Sequence, residues 1–577
     1  MKTRLALTLR WLRALALTLT ALVWTGEAQA QLPPPGTPSQ FDITGFLQEA
    51  TLDPACTTGA LCGGTLTVNG HVVTVPANTI VILPANALTW QELFAEAPAP
   101  YTGAATGMAL ADLPAPLTTY EVHVTGNRVN DSYIAGLVSV SQQALNSGQG
   151  YVTGIDYANG ELQILNPSDG SNLRVRINDP IPAGQTTGKF SKGSSPDVRF
   201  TIDEDNPTIR STTGFPMCLP RVAPPAVDEL CPQGNRPIDA ATGAFAASFT
   251  MPDPATIPTH GLPDPRIQAP FEIGDYVTFA GTLVTDNAAA PTAGPYPGTA
   301  ATYISAHTIT NNIAIYTWPN TNPAYVAIDV TILGTGGTTA IGATEAAVRT
   351  RFEGFSTDPS RIVHLYGIDL SCADGTVLDN RDWGTIDVDP GPPLGAVKGR
   401  WRFRPPSKVL SMPAAGIFLP ATREVRAVIE RTPGSAQVAA WVPGQTATAA
   451  NGIIYGQYHA PIGEYLFPEQ IVGNPVPPAN FETMPFLAQG GYTSSAGTLA
   501  GQLAPWPGSA VPPTCAGPPP VAKAGATPSA VFSGSGTVTL DASASTGSGL
   551  AFSWVQNPAD VPQVTLTGAN TAQASFT

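Results

Sequence analysis

The chain has 577 residues, with 27 Lys and Arg against 42 Asp and Glu, a formal net charge of -15, 59 Pro and 57 Gly. That balance argues against nucleic acid as a partner, since phosphate binding needs clustered Lys and Arg. The length is too great for one core and points to several domains. A hydrophobic content of 43% supplies those cores, while charged residues are only 12% of the chain, about half the roughly 25% usual in soluble domains.

The first thirty residues read as a secretory signal. Lys2, Arg4, Arg10 and Arg13 precede an apolar stretch, Ala14 to Trp24, and Ala28-Gln29-Ala30 fits a small-x-small cleavage site. The stretch is shorter than the roughly 20 apolar residues that span a bilayer, and nothing later reaches that length. The mature chain is therefore expected to lack a transmembrane segment and to be secreted, at the cell surface or in the periplasm. Six cysteines in such a chain favour disulfides over zinc, because Cys-x-x-Cys is absent. Loop lengths favour Cys56–Cys62 and Cys218–Cys231, leaving Cys372 and Cys515 as a long-range pair, although six cysteines allow 15 connectivities.

In chain order, a Pro-rich linker (31–40) precedes a β domain (41–125). Thr65–Val68, the turn Asn69-Gly70 and His71–Val75 read as a hairpin, since that dipeptide tolerates positive φ. Tyr151–Tyr157 and Glu161–Leu165 around Ala158-Asn159-Gly160 repeat the design in a second domain (126–215). A connection (216–237), a third β domain (238–340) and a fourth (341–504) follow. Period-two strands are predicted at Arg174–Ile177, Tyr276–Phe279, Tyr325–Val330 and Val425–Ile429. Short helices are predicted at Thr89–Glu96, Val138–Ser147 and Thr344–Phe352. A Pro-rich linker (505–520) leads into a last domain (521–577). The expected class is mainly β, with small barrel and sandwich modules in tandem.

Phe41-Asp-Ile-Thr-Gly45, Gly150-Tyr-Val-Thr-Gly154 and Phe271 to Gly281 each open on an apolar strand bearing a Gly, which permits the sharp bend of a small closed barrel. The pattern resembles OB-like modules of secreted bacterial proteins, which would make 126–215 and 238–340 OB-like. From Pro519 the chain changes. Gly536-Thr-Val-Thr-Leu-Asp541, the Ser-rich turn Ala542–Thr546 and Trp554 in Leu550–Gln556 resemble the polycystic-kidney-disease (PKD) repeat, an immunoglobulin-like sandwich. The resemblance implies spacing or adhesion rather than catalysis. The last strand of that family is not reached by Thr577, so further repeats or a surface anchor are expected beyond it.

No Gly-x-Ser-x-Gly elbow, His-Glu-x-x-His pair or phosphate-binding loop is present. Tyr316, Trp318 and Tyr325 flank Pro319–Pro323, an arrangement that stacks on sugars or plugs a barrel end. Arg400-Trp-Arg-Phe-Arg404 alternates strictly, so a strand there sets Arg400, Arg402 and Arg404 on one face. Those arginines would take an acidic polysaccharide or pair with the acidic stretch just upstream. Asp203 with Asp205, and Asp387 with Asp389, are calcium candidates or solvated surface. His459, Glu464 and Glu469 form a weaker acid/base or metal grouping. The expected role is non-catalytic recognition of polysaccharide or extracellular protein, with no cofactor unless calcium. The alternatives are a carbohydrate-active hydrolase with paired carboxylates and a calcium-stabilised adhesion protein.

Overall fold

The computed structural model describes residues 39–54, then 62–334 with breaks at 78, 85, 130, 142–145, 169, 171, 257–262 and 287–301. It continues over 349–430, with breaks at 371–376, 405–410, 413–416 and 419–423, then 452–466 and short stretches from 492 onward. Residues 1–30, expected to be a signal sequence, and 505–520, expected to be a linker, lie outside the described residues.

The fold is mainly β, as expected. β1 (Ser39–Leu52), β2 (Gly64–Val68), β3 (His71–Val75), β4 (Glu121–Val129) and β5 (Ser132–Ser141) pair in the order 1-2-3-5-4, and β4 returns to β1. The closing pair β3–β5 is parallel, with Val73 opposite Tyr133. The result is a closed five-stranded Greek-key ring, and two further strands extend its sheet to seven, Ile80–Leu83 pairing onto β5 and Asn86–Thr89 onto Ile80–Leu83. Asn69 (φ 49°) and Gly70 (φ 77°) make the expected hairpin turn. Helix α1 (Trp90–Ala95) lies between β3 and β4. Its capping box is complete: Thr89 Oγ1 accepts from the Glu92 amide, and Glu92 accepts from the Thr89 amide. Of the helix predicted at 138–147, residues 138–141 belong to β5, 142–145 lie outside the described residues, and Asn146 is helical. Val138 and Val140 continue the period-two burial of β5, and Ser147 opens the next strand.

The second barrel repeats the order with β6 (Ser147–Asp156), β7 (Glu161–Leu165), β8 (Asn172–Ile177), β9 (Tyr276–Thr285) and β10 (Thr302–Asn311). Its closing pair, β8–β10, is again parallel. The segment at Phe271–Gly281 therefore supplies the fourth strand of this barrel rather than opening a third unit, because Tyr276 pairs with Tyr151. At the bulge in β9, a Cβ on Gly281 would lie 2.3 Å from the Ser305 carbonyl oxygen, so the close approach needs glycine.

Between β8 and β9 runs a long insertion, 178–275. It includes 216–237, which is packed rather than a loose connection. Phe215, Met217 and Leu219 are fully buried in the second core, and Cys218–Cys231 is bonded as expected. Buried Arg236 forks onto both oxygens of Asp275 at 3.0 Å, and the Asn235 amide donates to three carbonyls.

β11 (Val326–Gly334), β12 (Arg351–Ser356), β13 (Ile362–Leu370), β14 (Val377–Asp387), β15 (Arg400–Phe403), β16 (Glu424–Glu430), β17 (Gln457–Pro461) and β18 (Glu464–Leu466) form two sheets, ordered 15-12-11-18 and 14-13-16-17. They face each other across Phe352, Val363, Leu365, Trp383, Trp401, Phe403, Val425 and Ile429, a β-sandwich core. Residues 351–352 of the third predicted helix lie in β12, and its residues 344–348 lie outside the described set. Farther on, 525–527, 538–541 and 573–576 form a three-stranded antiparallel sheet.

The modules are joined by packing. Arg199, in the insertion of barrel two, is 1% exposed and pairs with Asp197 at 2.7 Å. It also donates to the carbonyls of Leu93 and Thr106 in barrel one, at 2.6 and 2.8 Å. The neighbouring Phe200 belongs to the barrel-one core. Leu137 of β5 packs in the sandwich core, and Tyr325, beside β11, packs in the core of barrel two.

Arg199→Ala strands Asp197 and two carbonyls, so it is expected to cost about 3–5 kcal/mol in urea unfolding. Arg199→Lys is expected to recover only part of that, because an ammonium cannot fork. A change below about 0.5 kcal/mol for the alanine variant contradicts the strut.

Candidate functional site

β15 alternates as its sequence requires. Trp401 and Phe403 face the sandwich core, while Arg400 and Arg402 face outward. Register sets Glu353 of β12 directly opposite Arg402. The Glu353 carboxylate meets three guanidinium groups, from Arg351 at 3.1 Å, Arg402 at 2.9 Å and Arg400 at 2.7 Å. Burial alone would raise its pKa, but the bonds from Arg400 and Arg402 outweigh burial and hold it below the usual carboxylate range. Arg400 and Arg402 thus pair across the sheet with Glu353, and Arg400 also interacts with Asp389 of the acidic stretch upstream. Three guanidinium groups around the Glu353 carboxylate leave an excess of positive charge on a face where those side chains remain 36, 39 and 50% exposed.

The surroundings add basic and aromatic groups. Arg404 is exposed just beyond the strand, and half-buried Phe355 lies opposite Arg400. Lys398 places its ammonium 3.9 Å from the centre of the Tyr316 ring, and the Tyr316 hydroxyl donates to the Lys398 carbonyl. Of the three aromatics singled out from sequence, only Trp318, 46% exposed, reaches solvent. Tyr316 and Tyr325 are buried. Tyr325 packs edge-on against Phe215, and its hydroxyl donates to Pro265, so it plugs a module contact instead of offering a stacking surface.

A second constellation was missed by sequence reasoning. On the outer face of β13, His364 stacks on Tyr366 at 4.1 Å. Its Nδ1 lies 2.9 Å from Glu430 of β16 and 2.8 Å from the Tyr366 hydroxyl, and its Nε2 lies 2.7 Å from Asp382 of β14. Glu430 is buried, whereas Asp382 is 65% exposed. Burial, with Glu430 and Asp382 adding to it, pushes the Tyr366 phenol up to about 12. The alternation Ile362-Val-His-Leu-Tyr366 already placed His364 and Tyr366 on one face, but the sheet order that brings in Glu430 and Asp382 was not visible.

The acidic candidates are held within their own loops. Asp203 accepts from the amides of Asp205 and Asn206 and from the Asn206 side chain, and burial pushes it up to about 6. Asp389 accepts from the amides of Gly391, Ala396 and Val397. Asp205 and Asp387 are exposed. Among the described residues, no group of three His, Cys, Asp or Glu is arranged to hold a metal ion. His459 does not join Glu464. It is buried on β17, its amide donates to Asn206, and burial pushes it down to about 3, whereas Glu464 is exposed. Glu469 lies outside the described residues, as do Cys56, Cys372 and Cys515. Cys62 is disulfide-bonded, with its partner outside the described set. No helix among the described residues is long and apolar enough to cross a membrane.

Comparisons with protein-family models, characterised proteins and solved structures find no match to this chain.

Glu430→Gln weakens the hydrogen bond that orients His364 from the buried side, and is expected to cost about 1–3 kcal/mol in urea unfolding at pH 7. Asp382→Asn, at the exposed end of the same imidazole, is expected to cost less than about 1 kcal/mol. The reverse order contradicts the assignment of Glu430 as the structural anchor.

Proposed function

We propose that the chain is a secreted or cell-surface binding and scaffold protein without catalytic work, and that its outer β12–β15 face recognises acidic polysaccharide. The observation that carries the reading is the excess of guanidinium over carboxylate at Glu353, on a chain of net charge -15. Exposed uronate or sulfate groups would find fixed, forked donors there, and Trp318 and Phe355 offer apolar surface for sugar rings. The strands are tied on one side by the sandwich core, so the donors are held in place before ligand arrives. The barrels' 1-2-3-5-4 order fits OB-like modules, and the sheet at 525–576 fits a PKD-like domain acting as a spacer.

The hydrolase alternative draws little support from the carboxylates near one another. Asp382 and Glu430 contact opposite nitrogens of His364, so the imidazole occupies the space a glycosidase gives to water or sugar.

Calorimetric titration with polygalacturonate and neutral dextran tests the proposal, with mass spectrometry following the polymer. Polygalacturonate is expected to bind, dextran not, and affinity is expected to fall steeply with salt. Arg402→Ala is expected to weaken binding roughly tenfold, while Glu353→Gln, which removes the internal counter-charge, is expected to tighten it. Equal binding of both polymers, or release of oligosaccharide, overturns the reading.

A further inference from the structure

The seam between the two barrels contains a buried group that no binding role uses. His307, on β10, points outward from barrel two yet is fully buried. Its ring stacks on Phe200 at 6.4 Å, with 27° between the planes. Phe200 in turn packs 6.0 Å from Tyr120 within the barrel-one core. Nδ1 of His307 is 3.1 Å from Thr308 Oγ1, while Nε2 has no hydrogen-bond partner and no solvent contact. The same outward face carries three more buried polar atoms without partners. These are Ser305 Oγ two residues along β10, Thr282 Oγ1 directly opposite Ser305 on β9, and Asn178 Oδ1 just beyond β8. The Asn178 amide nitrogen donates to Asp197, which anchors the strut residue Arg199. Closing His307 against Phe200 therefore leaves its Nε2 dry, a cost that opening to water would remove.

We propose that this seam is an acid-sensitive latch, in which protonation of His307 separates Phe200 from β10 and lets the two barrels part.

The charge environment gives the latch its direction. The ionic groups around the seam are Arg199 with Asp197, Glu96 just beyond α1, which interacts with that pair and with Glu92 of α1, and Arg176 of β8 with Glu161 and Asp286. Tyr120 and Thr308 are neutral neighbours. No carboxylate faces the ring, and burial alone pushes His307 down to about 4. An imidazole whose pKa is lowered on closing stabilises the closed form above its ordinary value of 6.5 and loses that contribution as the pH falls toward 4. At pH 5 the closed-to-open ratio is expected to be roughly 30-fold lower than at pH 7.5 from this group alone.

The test is hydrogen–deuterium exchange of the full chain at pH 7.5 and 5.0, corrected for intrinsic rates, on segments covering Val198–Phe200 and Ile304–Ile309. The wild-type chain is expected to lose roughly 30-fold more protection between the two conditions than His307→Gln or His307→Phe, neither of which titrates. An equal pH response in wild type and variants overturns the latch. Imidazole C2 exchange, followed by mass spectrometry on the wild-type chain, keeps the test independent of the variants' folding. An ordinary titration of His307 while the seam stays protected also overturns it.

Discussion

The buried guanidinium of Arg199 is the constraint on which the assembly of the barrels depends. A charge in that position is tolerable only if its donors are spent, and Asp197 with the carbonyls of Leu93 and Thr106 spends them. Two of those acceptors belong to barrel one, while Arg199 belongs to the insertion of barrel two. Moving the barrels apart without a rearrangement would leave an ion pair half satisfied. Phe200 next to it adds apolar area to the core of barrel one, so the electrostatic and hydrophobic terms act at the same point of the chain.

This fusion explains the low charge content. In a lone barrel or sandwich, each strand offers alternate residues to water. Here several outward faces are covered. Every residue of β16 is buried: Val425, Ala427 and Ile429 by the sandwich core, and Glu424 and Arg426 on the opposite side. Burial pushes Glu424 up to about 8 and Arg426 down to about 10. The β12–β15 face contrasts with this, since its arginines keep substantial exposure around a single buried carboxylate. That open, charged face, in a chain that covers so many others, is the one we propose for recognition.

What the sequence made legible was local. Asn69-Gly70 and Ala158-Asn159-Gly160 mark their hairpins because φ preference and alternation act within ten residues. Thr89 and Glu92 mark a helix start for the same reason. The strict alternation of Arg400 to Arg404 fixed which side chains share a face, though not that Glu353 would stand opposite. The misreadings concern chain reach. β9 looked like the opening of a third module because the 98-residue span from 178 to 275 reads as independent sequence, yet it is an excursion from barrel two. Residues 216–237 looked like a linker because Pro and Cys dominate there, but Arg221, Asn235 and Arg236 bury their polar groups against distant carbonyls and carboxylates. Whether Tyr325 stacks on sugars or plugs a contact was open in the sequence, because burial by another module leaves no local mark. His364 drew no attention because its partners come from β14 and β16, and only the sheet order unites them.

Native-state exchange under increasing urea, resolved to β4 of barrel one and β10 of barrel two at neutral pH, tests the fusion of the barrels most directly. If Arg199 and Phe200 bind the barrels into one body, Val122–Val124 and Ile304–Ile309 lose protection in the same cooperative step, with the same dependence on urea. Loss of protection in barrel one at markedly lower urea, with barrel two intact, would contradict the account and make the barrels independent modules that merely touch.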